Sequence, residues 1–352
     1  MSIIPYICPL LLCLCTVFLI WAAEAAHRPF KGTTEWILRA AHPPRMSPGT
    51  DSSGKLAGLD AVPIVIVTLI YFVIMYLASG GVDFQNPISV MTFVSAGLTM
   101  PVNYFIAKLL TGKFNSSVFA AVLCLADAWF LSGASLNQAA GLFAATLYVL
   151  FLVIYINRPF FMIPGGIFLG CAVFFANGNV IFALLGVIIS IVLSILQGSA
   201  KPFIVNLIFG IVVPAIVYCV PTYILNGKIT FSPGFHFDGV ALSFVCFAAL
   251  LVAVITHIFR DKSFVALFVS FGFIISTAAA FTSAVPLPVL MVFPAVYLGN
   301  IVFSRGKTAG KAAVWSFAAV MLICLLVRLS VCLFPENDIT AALAQYLAAY
   351  TL

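Results

Sequence analysis

The chain has 352 residues, of which 64% are hydrophobic and 7% are charged, whereas about 25% of the residues in a soluble domain are charged. A soluble fold of this size could not hide so much apolar surface, since roughly a quarter of its surface stays in water. A disordered chain would need a far more polar composition. The apolar runs are close to the ~20 residues of a membrane-crossing helix, about twice a ~10-residue barrel strand. The composition therefore predicts an all-α, polytopic bundle of transmembrane helices.

Short polar breaks divide the apolar sequence into about twelve predicted membrane spans. Two breaks are tight: Asn-Arg-Pro at 157–159, and Asn-Gly-Asn at 177–179. From Asp338 onward, helical spacing of apolar residues predicts a helix on the membrane surface. We therefore predict one transmembrane domain over residues 1–352: an N-terminal span with a basic connection (1–61), a main bundle (62–334) and an interfacial helix (335–352). In chain order the predicted spans are 5–24, 62–79, 89–109, 116–132, 140–157, 160–176, 178–198, 203–225, 239–259, 263–283, 285–304 and 311–334.

Basic residues are concentrated in alternate connections between these spans. Every odd connection is basic, whereas Lys228 is the sole Lys or Arg in the even connections. The positive-inside rule therefore predicts cytoplasmic odd connections and outer termini. No basic residue precedes the first span, which argues against cleavage of 1–26 as a signal peptide. The net charge of +6 thus reports topology, and no nucleic-acid partner is expected. The basic residues of the odd connections are Arg28, Lys31, Arg39, Arg45, Lys55, Lys108, Lys113, Arg158, Lys201, Arg260, Lys262, Arg305, Lys307 and Lys311.

Two ionisable residues lie inside predicted spans, where a charge is costly and often functional. Asp127 falls in the fourth span and Arg328 in the twelfth, and both are displaced toward the outer side. At 1.5 Å per residue the two side chains could reach the same depth and form an ion pair. Such a pair could line a path for a polar substrate, or it could fasten the last helix to the bundle.

Neutral amides and small residues also occur in or near the predicted spans. The amides could bind a sugar or could join helices by hydrogen bonds. The small residues of 165–170 (Gly-Gly-Ile-Phe-Leu-Gly) fall on one helical face and predict close helix packing. The nine cysteines lack metal-type spacing, so no metal or cofactor is expected. The amides in or near spans are Asn103, Asn137, Gln138, Asn177, Asn179, Asn206 and Asn300.

Residues 89–200 combine these features in a distinctive order. A helix ends in a basic turn at 107–113, the next reaches an outward polar loop at 132–141, and a third runs to a basic turn at 155–159. A Pro-Gly-Gly helix at 164–175 and an outward polar break follow. This order resembles the bacterial GT-C class of integral-membrane glycosyltransferases, which is related to dolichyl-phosphate-mannose mannosyltransferases.

The resemblance implies a transferase of the bacterial cell membrane that uses a polyprenyl-phosphate-linked sugar and a glycan or lipid acceptor in cell-envelope assembly. The large outer loop of the family is here the short segment 79–87, whose only acid is Asp83. The outward Trp-Gly-Gln-x-Asp pattern of the family is reduced to Asn137 and Gln138. Much of the family's polar catalytic set is therefore missing, which also fits a catalytically reduced relative.

Sugar transfer from a lipid phosphate needs a base and a cation for the leaving phosphate. On this interpretation Asp83 is the candidate base and Arg328 the phosphate partner, although Asp83 and Asp238 could also be solvated loop acids. Two other functions stay open: a multi-span transporter or flippase, and a non-catalytic subunit bound to another membrane protein. The further candidates for substrate contact are Asp127, Asn137, Gln138, His236 and Asp238.

Overall fold

A computed structural model describes residues 58–78, 81–112, 114–125, 135–156, 158–229, 231, 264–282, 292–293 and 295–296. Within these ranges the chain is helical and contains no strand. Two short 3-10 turns, Pro159–Phe161 and Asn177–Ile181, precede α5 and α6, and a π-helical turn, Ile208–Val212, joins α7 to α8. The α-helices are α1 Gly58–Ala78, α2 Pro87–Thr111, α3 Phe114–Cys124, α4 Leu136–Tyr155, α5 Met162–Phe175, α6 Phe182–Gln197, α7 Lys201–Leu207, α8 Val213–Asn226 and α9 Phe264–Thr282.

Five helical stretches in the described ranges are long and apolar enough to cross a membrane. They are Asp60–Leu77, Pro87–Thr111, Leu136–Tyr155, Asn177–Gln197 and Lys201–Asn226. All five coincide with predicted spans, so the all-helical prediction is confirmed within the described ranges, and these helices are compatible with a helical membrane protein. The predicted spans 5–24, 239–259 and 311–334, most of 285–304 and the predicted surface helix from Asp338 lie outside the described residues. The count of twelve spans therefore stays a prediction.

Local chemistry explains where two of these helices begin and end. The Asn86 side chain accepts the Ile88 N–H at 3.0 Å and caps the start of α2, with Pro87 at the first helical position. The same helix ends at Gly112, whose φ of 65° suits glycine and whose N–H donates to the Lys108 carbonyl. At the start of α4, Ser135 and Gln138 form a reciprocal capping box.

Helix α4 lies at the centre of the bundle. Every residue from Ala139 to Tyr155 is buried, and the helix packs against α2 on one side and α5 on the other. Helix α1 packs on α2, but most of its surface is exposed, including Val62, Leu69 and Val73. An all-round buried helix beside one with an open apolar face is the arrangement expected where lipid surrounds the outer helices.

Glycines allow α5 to pack closely on the segment that contains the π-helical turn. A Cβ atom at Gly166 would overlap the backbone carbonyl oxygen of Phe209, and one at Gly170 would lie 2.6 Å from Cβ of Val217. The prediction of close helix packing at 165–170 is therefore confirmed. Since Val213 N–H donates to the Ile208 carbonyl and Pro214 has no N–H, the turn departs from regular α-helical bonding at this contact.

Candidate functional site

Asp83, the candidate base, lies in the turn that leads into α2. Its carboxylate accepts the Gln85 N–H at 2.9 Å, and its backbone carbonyl accepts the Asn86 N–H at 3.1 Å. The residue is exposed. The carboxylate thus has a local role in shaping the turn, and it also faces solvent, where an acceptor hydroxyl could reach it.

The second predicted outer group lies at the start of α4. Asn137 is exposed in the first helical turn, whereas Gln138 is half-buried. The Gln138 side-chain oxygen accepts the Ser135 N–H at 2.7 Å, and the Ser135 hydroxyl accepts the Gln138 N–H at 3.4 Å. The Gln138 side chain therefore stabilises the helix start through its oxygen. The other candidates, Asp127, His236, Asp238 and Arg328, lie outside the described residues, so their proximity to Asp83 stays a prediction.

A buried ion pair that the sequence did not predict joins α1 to α2. Lys108 Nζ lies 3.2 Å from Oδ1 of Asp60, and the Tyr104 hydroxyl donates to the same oxygen at 2.5 Å. The two charged side chains are 8% and 1% exposed. The Lys108 ammonium also lies 5.8 Å from the centre of the Phe114 ring, within cation–π range. We refer to Asp60, Tyr104 and Lys108 as the Asp60 cluster.

The Asp60 cluster changes the interpretation of one basic connection. Lys108, which the sequence placed in the third connection, lies inside the last turn of α2 and is buried. The charge is held there because Asp60 compensates it across 48 residues of sequence. A carboxylate that accepts a phenol and an ammonium at the same oxygen is well suited to fastening two helices together.

Asn179 shows how a buried amide can join helices. Its Nδ2 donates to the Ala172 carbonyl at 3.0 Å and to the Gly141 carbonyl at 3.4 Å, so that it links α5 to α4. The side chain is 2% exposed. For Asn179 the structural alternative considered for the amides is therefore confirmed.

Asn206 has the opposite environment, although it is an equally buried amide at 1% exposure. Among the described residues, neither its Oδ1 nor its Nδ2 has a hydrogen-bond partner, and the buried Tyr148 hydroxyl also lacks one. A Cβ atom on Gly186 would lie 2.9 Å from Asn206 Oδ1 and would overlap the Tyr148 oxygen, and one on Gly210 would overlap Asn206 Oδ1. The two side chains thus converge where α4, α6 and the α7–π segment meet. We call Asn206, Tyr148, Gly186 and Gly210 the Asn206 site.

A neighbouring contact holds the same helices in register. The Tyr155 hydroxyl, two turns after Tyr148 on α4, donates to the Pro202 carbonyl at 2.5 Å, one turn before Asn206. This bond anchors α4 to the start of α7. Within the described ranges there is no group of three His, Cys, Asp or Glu side chains able to hold a metal ion.

Comparison with known proteins identified no relative of this chain. No family model matches the chain, and neither a curated protein nor a solved structure matches it.

Proposed function

We propose that this protein is a GT-C-like membrane protein that handles a polyprenyl-phosphate-linked sugar in cell-envelope glycan assembly. The observation that supports the proposal is the fold of the segment that carries the resemblance. Helices α2 to α6 lie where the resemblance expects apolar helices, and the basic and polar breaks between them are read from the sequence. They also provide most of the buried core, with α4 at its centre.

In the proposed reaction a carboxylate accepts the proton of the acceptor hydroxyl, while a cation stabilises the leaving phosphate. Asp83 is the proposed base and Arg328 the proposed phosphate partner. Asp83 suits this role because its exposed position in a short outer turn leaves it open to an acceptor. The bond from Gln85 N–H holds the carboxylate in one orientation.

The contacts of Asp83 allow its two roles to be separated by substitution. Asp83→Asn keeps an oxygen that can accept the Gln85 N–H but removes the basic group, whereas Asp83→Ala removes both. If Asp83 is the base, both variants should lose roughly 10²–10⁴-fold in rate. The rate is measured in reconstituted membranes with a panel of polyprenyl-phosphate hexoses, and Arg328→Ala should also lose activity. Wild-type transfer with an undiminished rate in Asp83→Asn would contradict this assignment.

A second candidate function, a non-catalytic subunit of a membrane complex, is favoured by a specific observation. Asp83 and Gln138, two of the candidate site residues, both hydrogen-bond the backbone at helix starts and so already have structural roles. Such roles would be kept in a protein that catalyses no reaction. Under this alternative the purified chain transfers no sugar but co-purifies with an active transferase, and Asp83→Asn leaves that complex intact. Substrate flux across the bilayer without product formation would instead support a transporter or flippase.

A further inference from the structure

The Asn206 site contains unpaired polar groups in a setting where such groups are expensive. Asn206 can donate two hydrogen bonds and accept two, yet in the part of the chain that the structure describes its Oδ1 and Nδ2 both lack partners at 1% exposure. Burying an amide without a compensating hydrogen bond carries a large free-energy cost. The Tyr148 hydroxyl is a third polar atom without a hydrogen-bond partner among the described residues, and it lies beside Gly186.

The arrangement of the backbone brings these polar atoms together. Gly186 and Gly210 face the Asn206 amide, and a side chain on either residue would occupy the space that the polar atoms use. The π-helical turn Ile208–Val212 begins two residues after Asn206 and includes Gly210. Such turns are frequent at functional sites, because they re-aim the groups beside them.

We propose that the Asn206 site binds one neutral hydroxyl group, supplied by a water molecule or by an amphiphile of the membrane. A hydroxyl is both donor and acceptor, so a single group could bond the Asn206 amide and the Tyr148 oxygen together. This inference goes beyond the proposed transferase function and does not depend on it.

Charge and depth define the class of ligand. The side-chain atoms nearest to the two glycines belong to the Asn206 amide, the Tyr148 hydroxyl and the Met162 methyl group, all of them neutral. A buried ion would therefore lack a counter-charge there, which disfavours a carboxylate or an ammonium ligand. Asn206 lies five residues after the exposed Lys201 at the start of α7, or about 7.5 Å along the helix. That depth is close to the membrane interface and within reach of water or of a lipid hydroxyl.

The first experiment is a double-mutant cycle on thermal unfolding in detergent micelles. Tyr148→Phe deletes one oxygen atom without adding bulk, and Asn206→Leu removes the amide. If both groups bond one ligand, each substitution lowers Tm, and Tyr148→Phe has little further effect in the Asn206→Leu background. A rise in Tm for Tyr148→Phe would overturn the proposal, because removing an unpaired hydroxyl from a dry site is stabilising. Equal effects of Tyr148→Phe in both backgrounds would also overturn it.

Asn179→Leu provides the matched control, since Asn179 is a buried amide with two carbonyl partners. It should lower Tm, and Tyr148→Phe should have its full effect in this background. Loss of that effect there would overturn the proposal, since the coupling would then not be specific to Asn206.

A second experiment identifies the source of the hydroxyl. If an amphiphile binds, native mass spectrometry of the wild-type protein shows an added mass that Asn206→Leu lacks, and removal of lipid lowers the wild-type Tm. If water binds, no mass is added and the effect of Tyr148→Phe persists after lipid removal. Either result supports the site. An added mass that Asn206→Leu retains, together with an unchanged Tm for Tyr148→Phe, would overturn it.

Discussion

Removal of one charge from the Asp60 cluster should destabilise the bundle far more than removal of both. In Lys108→Met the Asp60 carboxylate stays 1% exposed and keeps its bond from Tyr104, but it has lost its counter-charge. Breaking a buried ion pair by removing one partner costs about 3–5 kcal/mol. We expect a loss of this size because the Nζ–Oδ1 distance is 3.2 Å and neither side chain is more than 8% exposed.

The double variant Asp60→Asn with Lys108→Met tests whether the loss comes from the uncompensated charge. The new amide oxygen can still accept the Tyr104 hydroxyl, and no buried charge is left. Replacing both partners by neutral groups is often close to neutral, so the double variant should lie within about 1–2 kcal/mol of the wild type.

Both free energies are measured by reversible unfolding in mixed micelles, with helical circular dichroism as the signal. Lys201→Met, at an exposed lysine, is the control and should leave the unfolding free energy unchanged. A Lys108→Met variant as stable as the wild type would refute the reasoning. So would a double variant less stable than Lys108→Met, because packing rather than charge would then dominate.

Three further predictions concern packing, helix capping and orientation. Gly166→Ala should lower the unfolding free energy by about 1–3 kcal/mol, since its Cβ would overlap the Phe209 carbonyl oxygen. Gly165→Ala should lower it less, because that Cβ would lie 3.3 Å from Cβ of Phe151. A larger loss for Gly165→Ala than for Gly166→Ala would contradict this packing. Ser135→Ala should cost about 1 kcal/mol in the same assay, and an unchanged stability would mean that the capping box contributes nothing. Lys201 and Lys228 lie at opposite ends of the Lys201–Asn226 stretch. A cysteine that replaces Lys201 should react with impermeant maleimide from the cytoplasm, and one that replaces Lys228 should react from outside. Labelling of both cysteines from one side would refute the predicted topology.

Helix positions were predictable from the sequence because a bilayer imposes length and apolarity on each span. The break at 177–179 illustrates this, since Ala176 is extended and a 3-10 turn follows it. The start of α4 was predicted four residues late, at 140 rather than Leu136, because the capping residues Ser135 and Gln138 are polar and resemble a loop. Hydropathy indicates where a helix is buried, whereas caps extend helices into polar sequence.

The Asp60 cluster was missed for a different reason. Asp60 and Lys108 both border predicted spans, where a charge is unremarkable, and their pairing depends on the packing of α1 against α2. The signal available was that the two residues lie at the ends of consecutive antiparallel spans that meet on the predicted cytoplasmic side. Tyr148 gave no signal, because an aromatic residue in an apolar helix is indistinguishable from core.

Asn179 and Asn206 show why residue type alone could not identify a binding group. Both are amides within apolar sequence and both are almost completely buried. Asn179 donates to two carbonyls because the Ala172 carbonyl, which also accepts the Ala176 N–H, can accept a second bond, and Gly141 lets α4 approach. Asn206 faces two glycines and a tyrosine hydroxyl, none of which hydrogen-bonds its amide. The difference arises from what packs opposite each amide, so the function of a polar residue in this membrane protein depends on its partners.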